Sequence, residues 1–191
     1  MLLSISGSPK KKSNTTAILT YLNSKIIDQG FNAHLIKLAD LSLKPCLDCG
    51  FCRTQLNCSI KDDFNNLINL IVKARVIVLG SPVYFGSVTS LLKMFMDRTV
   101  LFRRNGVLLE HKYFSGIAIG GSRNGGQELT LQTMHNWALI HGMFVMPDAK
   151  PTCHFGGALV ARGPEEALQD QLGLETVDNL AKNVLNILRN K

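Results

Sequence analysis

The chain has no run of about 18 apolar residues, which excludes a membrane-spanning helix. No basic segment precedes a hydrophobic stretch at the N-terminus, so no secretory signal is read and a cytoplasmic location is expected. Aromatic residues make up only 7%, with one tryptophan, and no nucleic-acid-binding motif is present. Acidic residues are also scarce, 14 against 21 Lys and Arg, for a net charge of +7. A basic surface without such a motif suits anionic cofactors or substrates better than a nucleic acid. There are no repeats, low-complexity tracts or linkers, so 191 residues read as one domain. Neither Gly-x-Gly-x-x-Gly nor a Gly-Lys-Ser/Thr loop occurs, which removes the two commonest nucleotide fingerprints. His135 and His141 lie six residues apart on one expected helix, off metal-ligand spacing, and read as solvated or core histidines.

What is present is alternation. Short apolar runs read as strands at Leu2–Ser6, Asn32–Leu38, Arg75–Leu79, Tyr113–Ile119 and Met143–Met146. Helical patterns lie between them at Thr15–Gln29, Asp62–Lys73, Ser87–Phe102 and Gly125–His141. Pro147–Pro164 reads as irregular, and Glu165–Leu188 as a closing helix broken near Gly173. Strand–helix alternation implies a parallel sheet covered by helices on both faces. Five strands suit the order 2-1-3-4-5, with a ligand crevice where the order reverses.

Three loops follow strands one, three and four. Gly7-Ser8-Pro9 leads through Lys10–Lys12 to Ser13, Asn14 and Thr15, which are good helix-capping types. A strand that ends in hydroxyls at a helix N-terminus is a ready anion site. The second loop, Gly80–Ser87, carries adjacent aromatics Tyr84 and Phe85 between Pro82 and Gly86. The third, Gly120–Glu128, contains Gly120, Gly121, Gly125 and Gly126, which let backbone approach a flat ring closely. Each alone reads as an ordinary turn; all three at one end of a sheet read as a pocket for a flat anionic ligand.

Gly-Ser-Pro near the N-terminus, Gly-Ser-Pro-Val-Tyr-Phe-Gly-Ser in the middle and Gly-Gly-x-x-x-Gly-Gly-Gln-Glu later resemble the flavodoxin-like NAD(P)H-dependent FMN reductases, and more narrowly the iron-sulfur flavoprotein branch. The resemblance runs from Leu2 to about Leu188. It implies a flavodoxin-like three-layer α/β sandwich binding FMN, with NAD(P)H as a possible donor. It implies that Ser6, Ser8, Ser13, Asn14 and Thr15 surround the phosphate. Pro82, Val83, Tyr84, Phe85 and Gly86 would lie along the isoalloxazine, with Gly121, Ser122 and Gly126 near its other edge. A homodimer or homotetramer is also implied. The apolar surplus of Met94, Phe95, Met96 and Phe102 on one helix supports a subunit contact.

A cysteine-rich insertion occupies residues 40–61. Cys46, Cys49, Cys52 and Cys58 are spaced C-x2-C-x2-C-x5-C, and Cys153 stands apart, expected as a buried thiol. Zinc sites usually separate two C-x2-C pairs by a dozen or more residues. Three thiolates at two-residue spacing instead resemble a ferredoxin loop around a [4Fe–4S] cluster, a pattern the iron-sulfur flavoproteins share. Zinc and free thiols remain alternatives, and a cytoplasmic location argues against disulfides. The function expected is an FMN-binding oxidoreductase in electron transfer, its partner a small molecule or ferredoxin. The alternatives are an NAD(P)H-dependent FMN or quinone reductase without a cluster, and a non-enzymatic flavin- or metal-binding sensor. No catalytic acid or base is assigned, since hydride transfer requires none.

Overall fold

The computed structural model describes residues 1–190. The strands are β1 (Leu2–Ser6), β2 (Ala33–Lys37), β3 (Val76–Pro82), β4 (Tyr113–Gly120), β5 (Phe144–Val145) and β6 (Gly157–Val160). All pair in parallel, in the order β2-β1-β3-β4-β5, with β6 also on β4. Helices α1 (Asn14–Ile27) and α6 (Gln171–Arg189) cover one face. Helices α2 (Phe64–Lys73), α3 (Ser90–Arg98), α4 (Val100–Arg104) and α5 (Gln127–Ile140) cover the other. No helix among the described residues is long and apolar enough to cross a membrane.

The strands are apolar on both sides because both sides are covered. Leu3, Ile5, Ile77, Leu79 and Phe114 face α2–α5, while Leu2, Val76, Val78, Ile117 and Ile119 face α1 and α6. That is the two-residue alternation of a pleated strand.

The expected order holds, but the fifth position is filled by two strands. β5 pairs with Tyr113 and Phe114 at the start of β4, and β6 with Ile117–Gly120 at its end. The chain between them leaves the sheet. It is pinned by the buried Asp148 carboxylate, which accepts from His154 N–H at 2.6 Å and from the Thr152 hydroxyl. Pro147–Pro164 is therefore not irregular throughout. The four-residue run Gly157–Val160 is too short to stand out among flanking Gly and Pro. Cys153, expected buried, is exposed on this excursion.

Two helices also depart from expectation. The stretch read as Ser87–Phe102 starts at the Thr89 cap, whose hydroxyl oxygen accepts from Leu92 N–H. It breaks at Thr99, whose hydroxyl donates back to the Met96 carbonyl and competes with the helical ladder. Phe95 and Phe102 are fully buried against Phe64, and Met96 is buried with them. These three residues fill the protein's own core and so give no ground for a subunit contact, while Met94, the fourth, is half-buried. The last helix begins at its Asp170 cap rather than breaking at Gly173, because Asp170 accepts from Gly173 N–H at 3.1 Å.

His135, Trp137 and His141 are all buried. Thr99 Oγ1 receives Trp137 Nε1–H and faces His141 Nε2, each at 2.9 Å. The Thr99 proton goes to Met96, so the network assigns His141 the Nε2–H tautomer. Burial, then the nearby Arg103, lowers the His141 pKa to about 4. The unfolded chain takes up this proton near pH 6.5 and the folded one does not. Stability from His141 is thus complete above about pH 6.5 and is lost progressively as pH falls toward about 4, on the order of 3 kcal/mol in all. Urea unfolding at pH 7 and pH 4.5 should show this loss in the wild type and a smaller one in His141→Gln. Equal losses in the two proteins would remove His141 as the cause.

Candidate cofactor-binding site

The C-terminal ends of β1, β3, β4 and β6 open on one cleft of about 300 Å³. Hydrogen bonds continue the ladder to its rim: Gly7 N–H to Gly80 O, Val83 N–H to Ile119 O, and Ala161 N–H to Gly120 O, at 2.8–2.9 Å. One wall is the turn between β1 and α1, with Ser8, Lys10, Lys12, Ser13, Asn14 and Thr15. Opposite lie Pro82, Val83 and Tyr84, then Ile119, Gly120 and Gly121. Ala161–Pro164, after β6, closes the remaining side. Lys10, Lys12 and Arg162 give the lining three cations, and no carboxylate lines it among the described residues. The cleft is built for an anion.

The α1 terminus is prepared for one. Ser13 Oγ accepts from Thr16 N–H at 3.1 Å, capping the helix. Nothing among the described residues accepts from Asn14 or Thr15 N–H, or bonds to Thr15 Oγ1. First-turn N–H groups left free in this way are the usual partners of bound phosphate. Gly7 fits because the chain passes close to α3: a Cβ there would lie 2.6 Å from Leu92. Thr89 ties the two segments together by donating to Gly7 O at 2.5 Å.

Tyr84 and Ser87 exchange both backbone hydrogen bonds, at 2.9 and 3.0 Å, around Phe85 and Gly86. Both central residues have positive φ, 51° and 69°, the geometry of a type I′ turn. A phenylalanine in that conformation is unusual. The turn holds its ring fully in solvent.

Eight of the thirteen residues expected around FMN line the cleft: Ser8, Ser13, Asn14, Thr15, Pro82, Val83, Tyr84 and Gly121. Ser6 does not; it is buried, with its hydroxyl 3.0 Å from Thr16 Oγ1. Phe85, Gly86, Ser122 and Gly126 also lie outside the lining. Gly126 instead packs against Gly86, a Cβ there meeting Gly86 Cα at 3.2 Å, so the two loops brace each other. Asn14 lines the cleft, but its amide is engaged: Nδ2 donates to Gly163 O at 2.9 Å and Oδ1 accepts from Ala167 N–H at 3.2 Å. Arg123 turns away to Asp170 at 2.5 Å. The 161–164 segment went unread in the sequence. Its signal was the Arg-Gly-Pro turn directly after the short apolar run.

The cysteine loop forms a separate, smaller pocket. Cys46, Cys49, Cys52 and Cys58 all line it, with Leu47, Phe51, Ile60 and Leu101 as apolar wall. Arg98 and Arg104 complete the wall. Cys52 is buried, Cys46 and Cys58 half-buried and Cys49 exposed. A hydrogen bond with Ser59 at 3.2 Å, then one with Phe51 N–H, holds the Cys49 thiol below its ordinary pKa. Asp48 N–H points to Cys46 Sγ at 3.5 Å. Among the described residues no three His, Cys, Asp or Glu side chains are drawn together as a single bound ion would need. Four thiols on one loop, lining one pocket beside two guanidiniums, are the donor chemistry that an iron–sulfur group takes.

Both ends of the loop are anchored. Asp62 receives Arg98 at 2.7 and 3.1 Å and Lys44 N–H at 2.9 Å, while Arg98 also donates to Lys44 O. Burial pushes the Asp62 carboxyl pKa up, but these hydrogen bonds outweigh it and the net shift is downward. Asn65 exchanges two bonds with the Cys58 backbone, and Asn105 donates to Cys52 O.

The family model for NADPH-dependent FMN reductase matches residues 1–157. The chain belongs to that family. An iron-sulfur flavoprotein of Methanocaldococcus jannaschii is 42% identical over 188 residues, covering 98% of this chain and 97% of that one. An iron-sulfur flavoprotein of Methanosarcina thermophila is 38% identical over 184 residues, covering 96% and 93%. Among solved structures, a flavodoxin, WrbA-like protein from Agrobacterium tumefaciens superposes with a TM-score of 0.65 at 18% identity, covering 98% and 96%. This FMN reductase family member is therefore a flavodoxin-like, flavin-dependent oxidoreductase, and FMN is the flavin its family uses.

Asn14 makes a test of the cleft's architecture in this FMN reductase relative. Asn14→Ala removes both bonds to the segment after β6, a loss of about 1–3 kcal/mol locally. Amide hydrogen exchange at Gly163–Ala167 should accelerate, with the β1 and β3 amides unchanged. Unaltered exchange at Gly163 and Ala167 would mean that Asn14 does not hold this wall.

Proposed function

We propose that the protein is an iron-sulfur flavoprotein carrying one FMN and one [4Fe–4S] cluster and acting in electron transfer. The observation that carries this reading is that all four thiols of one loop line a single pocket apart from the flavin cleft. The names of two relatives above 35% identity support it.

In this reading the free N–H groups of the first α1 turn, Thr15 Oγ1 and Ser8 bind the FMN phosphate, with Lys10 and Lys12 beside it. Pro82, Val83 and Tyr84 lie along the ring, and Gly121 and the 162–164 backbone approach its other edge. Asn14 contributes its backbone N–H while its side chain holds the segment after β6, and Ser13 caps the helix at the cleft wall. Ser6, Phe85, Gly86, Ser122 and Gly126 shape the loops rather than touch the ligand. Cys46, Cys49, Cys52 and Cys58 hold the cluster. When bound, the flavin supplies hydride and electron chemistry and the cluster supplies one-electron transfer. The chain's part is to place both groups and limit water at the ring. Donor and acceptor are small molecules such as NAD(P)H, or a small protein such as ferredoxin, in the cytoplasm. For a homodimer or homotetramer, the exposed Leu129, Leu139, Ile140 and Phe144 are the candidate contact in place of α3.

Counting iron and flavin per chain after anaerobic purification tests the division into two sites. Cys49→Ser should lose the iron and keep FMN, because serine is a poorer ligand than thiolate. Cys153→Ser, exposed on the excursion after β5, should keep both. Loss of FMN together with iron in Cys49→Ser would contradict two separate sites. A wild type without iron would leave a plain NAD(P)H-dependent FMN or quinone reductase.

A further inference from the structure

We infer that Arg104 and Asp48 together set the reduction potential of the cluster. This rests on the four-cysteine reading above and adds a function for two residues that bind neither flavin nor iron.

Arg104 is the last residue of α4, which runs beside the cysteine loop. Its guanidinium is shared between two partners. Nη1 donates to Cys52 Sγ at 3.4 Å, and Nη2 to Asp48 Oδ1 at 2.5 Å. Cys52 is the one buried thiol of the four. Asp48 lies between Cys46 and Cys49, and its side chain is 78% exposed against 17% for Arg104. The positive partner is thus tucked against a sulfur while the negative partner faces water. Solvent screens the carboxylate more than it screens the guanidinium.

The other arginine of the pocket is differently placed. Arg98 is 1% exposed and bonded to Asp62, which is equally buried, and to the Lys44 carbonyl. It also meets the Cys58 thiol, but its charge is matched by a carboxylate within the same buried environment. Its role is to anchor the loop. Arg104 is the cation of the pocket wall whose charge is left incompletely matched.

The electrical consequence has a definite sign. A cluster held by four thiolates is anionic, and one added electron makes it more so. No bond forms or breaks in that step; the electron comes from the reductant and the added charge spreads onto the sulfurs. A guanidinium hydrogen-bonded to one sulfur stabilises the reduced form more than the oxidised form. It raises the potential. A carboxylate beside the same sulfurs lowers it, and Asp48 also draws on the Arg104 donors. The pair therefore acts as a bias whose two halves have opposite effects.

The experiment is a dithionite titration of the anaerobically purified, iron-loaded full chain at fixed pH, followed by absorption and electron paramagnetic resonance. Arg104→Gln keeps an N–H donor and removes the charge. It should make cluster reduction about tenfold less favourable, a midpoint about 59 mV more negative for one electron. Arg104→Lys keeps the charge and should stay within a few-fold of wild type. Asp48→Asn should shift the midpoint the other way, to a more positive value. The flavin potential should not move in any of the three. A purely structural ion pair would alter cluster content or loop stability and leave the midpoint of the loaded protein where it was. Equal midpoints in all iron-loaded variants overturn the inference and leave the cluster reading intact. If Arg104→Gln cannot retain iron, Asp48→Asn decides: a positive shift upholds the bias, and an unchanged or negative shift overturns it. Wild type without iron overturns both readings together.

Discussion

The constraint on which the rest of the structure depends is the reversal of strand order at β1. β1 has β2 on one side and β3 on the other. The helix that follows β1 therefore leaves by one face, and the helix that follows β3 by the other. The loops between strand and helix must diverge there, and the cleft is the space they leave. Its chemistry follows from that position. The turn into α1 presents free N–H groups, and the loops after β3 and β4 present proline, aromatic and glycine surface.

A second constraint acts on the cysteine loop. A loop of that length has little structure of its own, apart from one 3-10 turn at Phe51–Arg53. It is held by the buried Arg98–Asp62 pair and by Asn65 and Asn105. A buried ion pair contributes little net stability against an apolar replacement, but losing one partner costs about 3–5 kcal/mol. Here the pair also bonds the Lys44 backbone, two residues before Cys46, through both its members. It fixes where the first thiol begins. Phe64, stacked under Arg98 at 4.5 Å, joins that anchor to the core beneath.

Much of this was legible in the sequence because it depends on local pattern. Strongly apolar runs such as Val76–Leu79 announce buried parallel strands, and Ser13 announces a cap. The cysteine spacing places all four thiols on one loop, and they line one pocket. What was missed depends on tertiary context. Gly157–Val160 becomes a strand only because the upper half of β4 offers an open edge. The Thr99 hydroxyl that interrupts a helix is also met by Trp137 and His141, some forty residues away. The Asn14 side chain is held by the backbone of Gly163 and Ala167, some 150 residues on, a contact that its place in the capping turn does not reveal. Such long-range partners leave no trace in spacing or periodicity.

The central claim is that one chain holds a flavin and an iron–sulfur cluster in two distinct pockets. The most direct test is the absorption spectrum of anaerobically purified protein, recorded before and after reduction. Two flavin bands lying over a broad visible shoulder, both bleaching on reduction, are the result this account predicts. Two resolved flavin bands with no shoulder beneath them would contradict it.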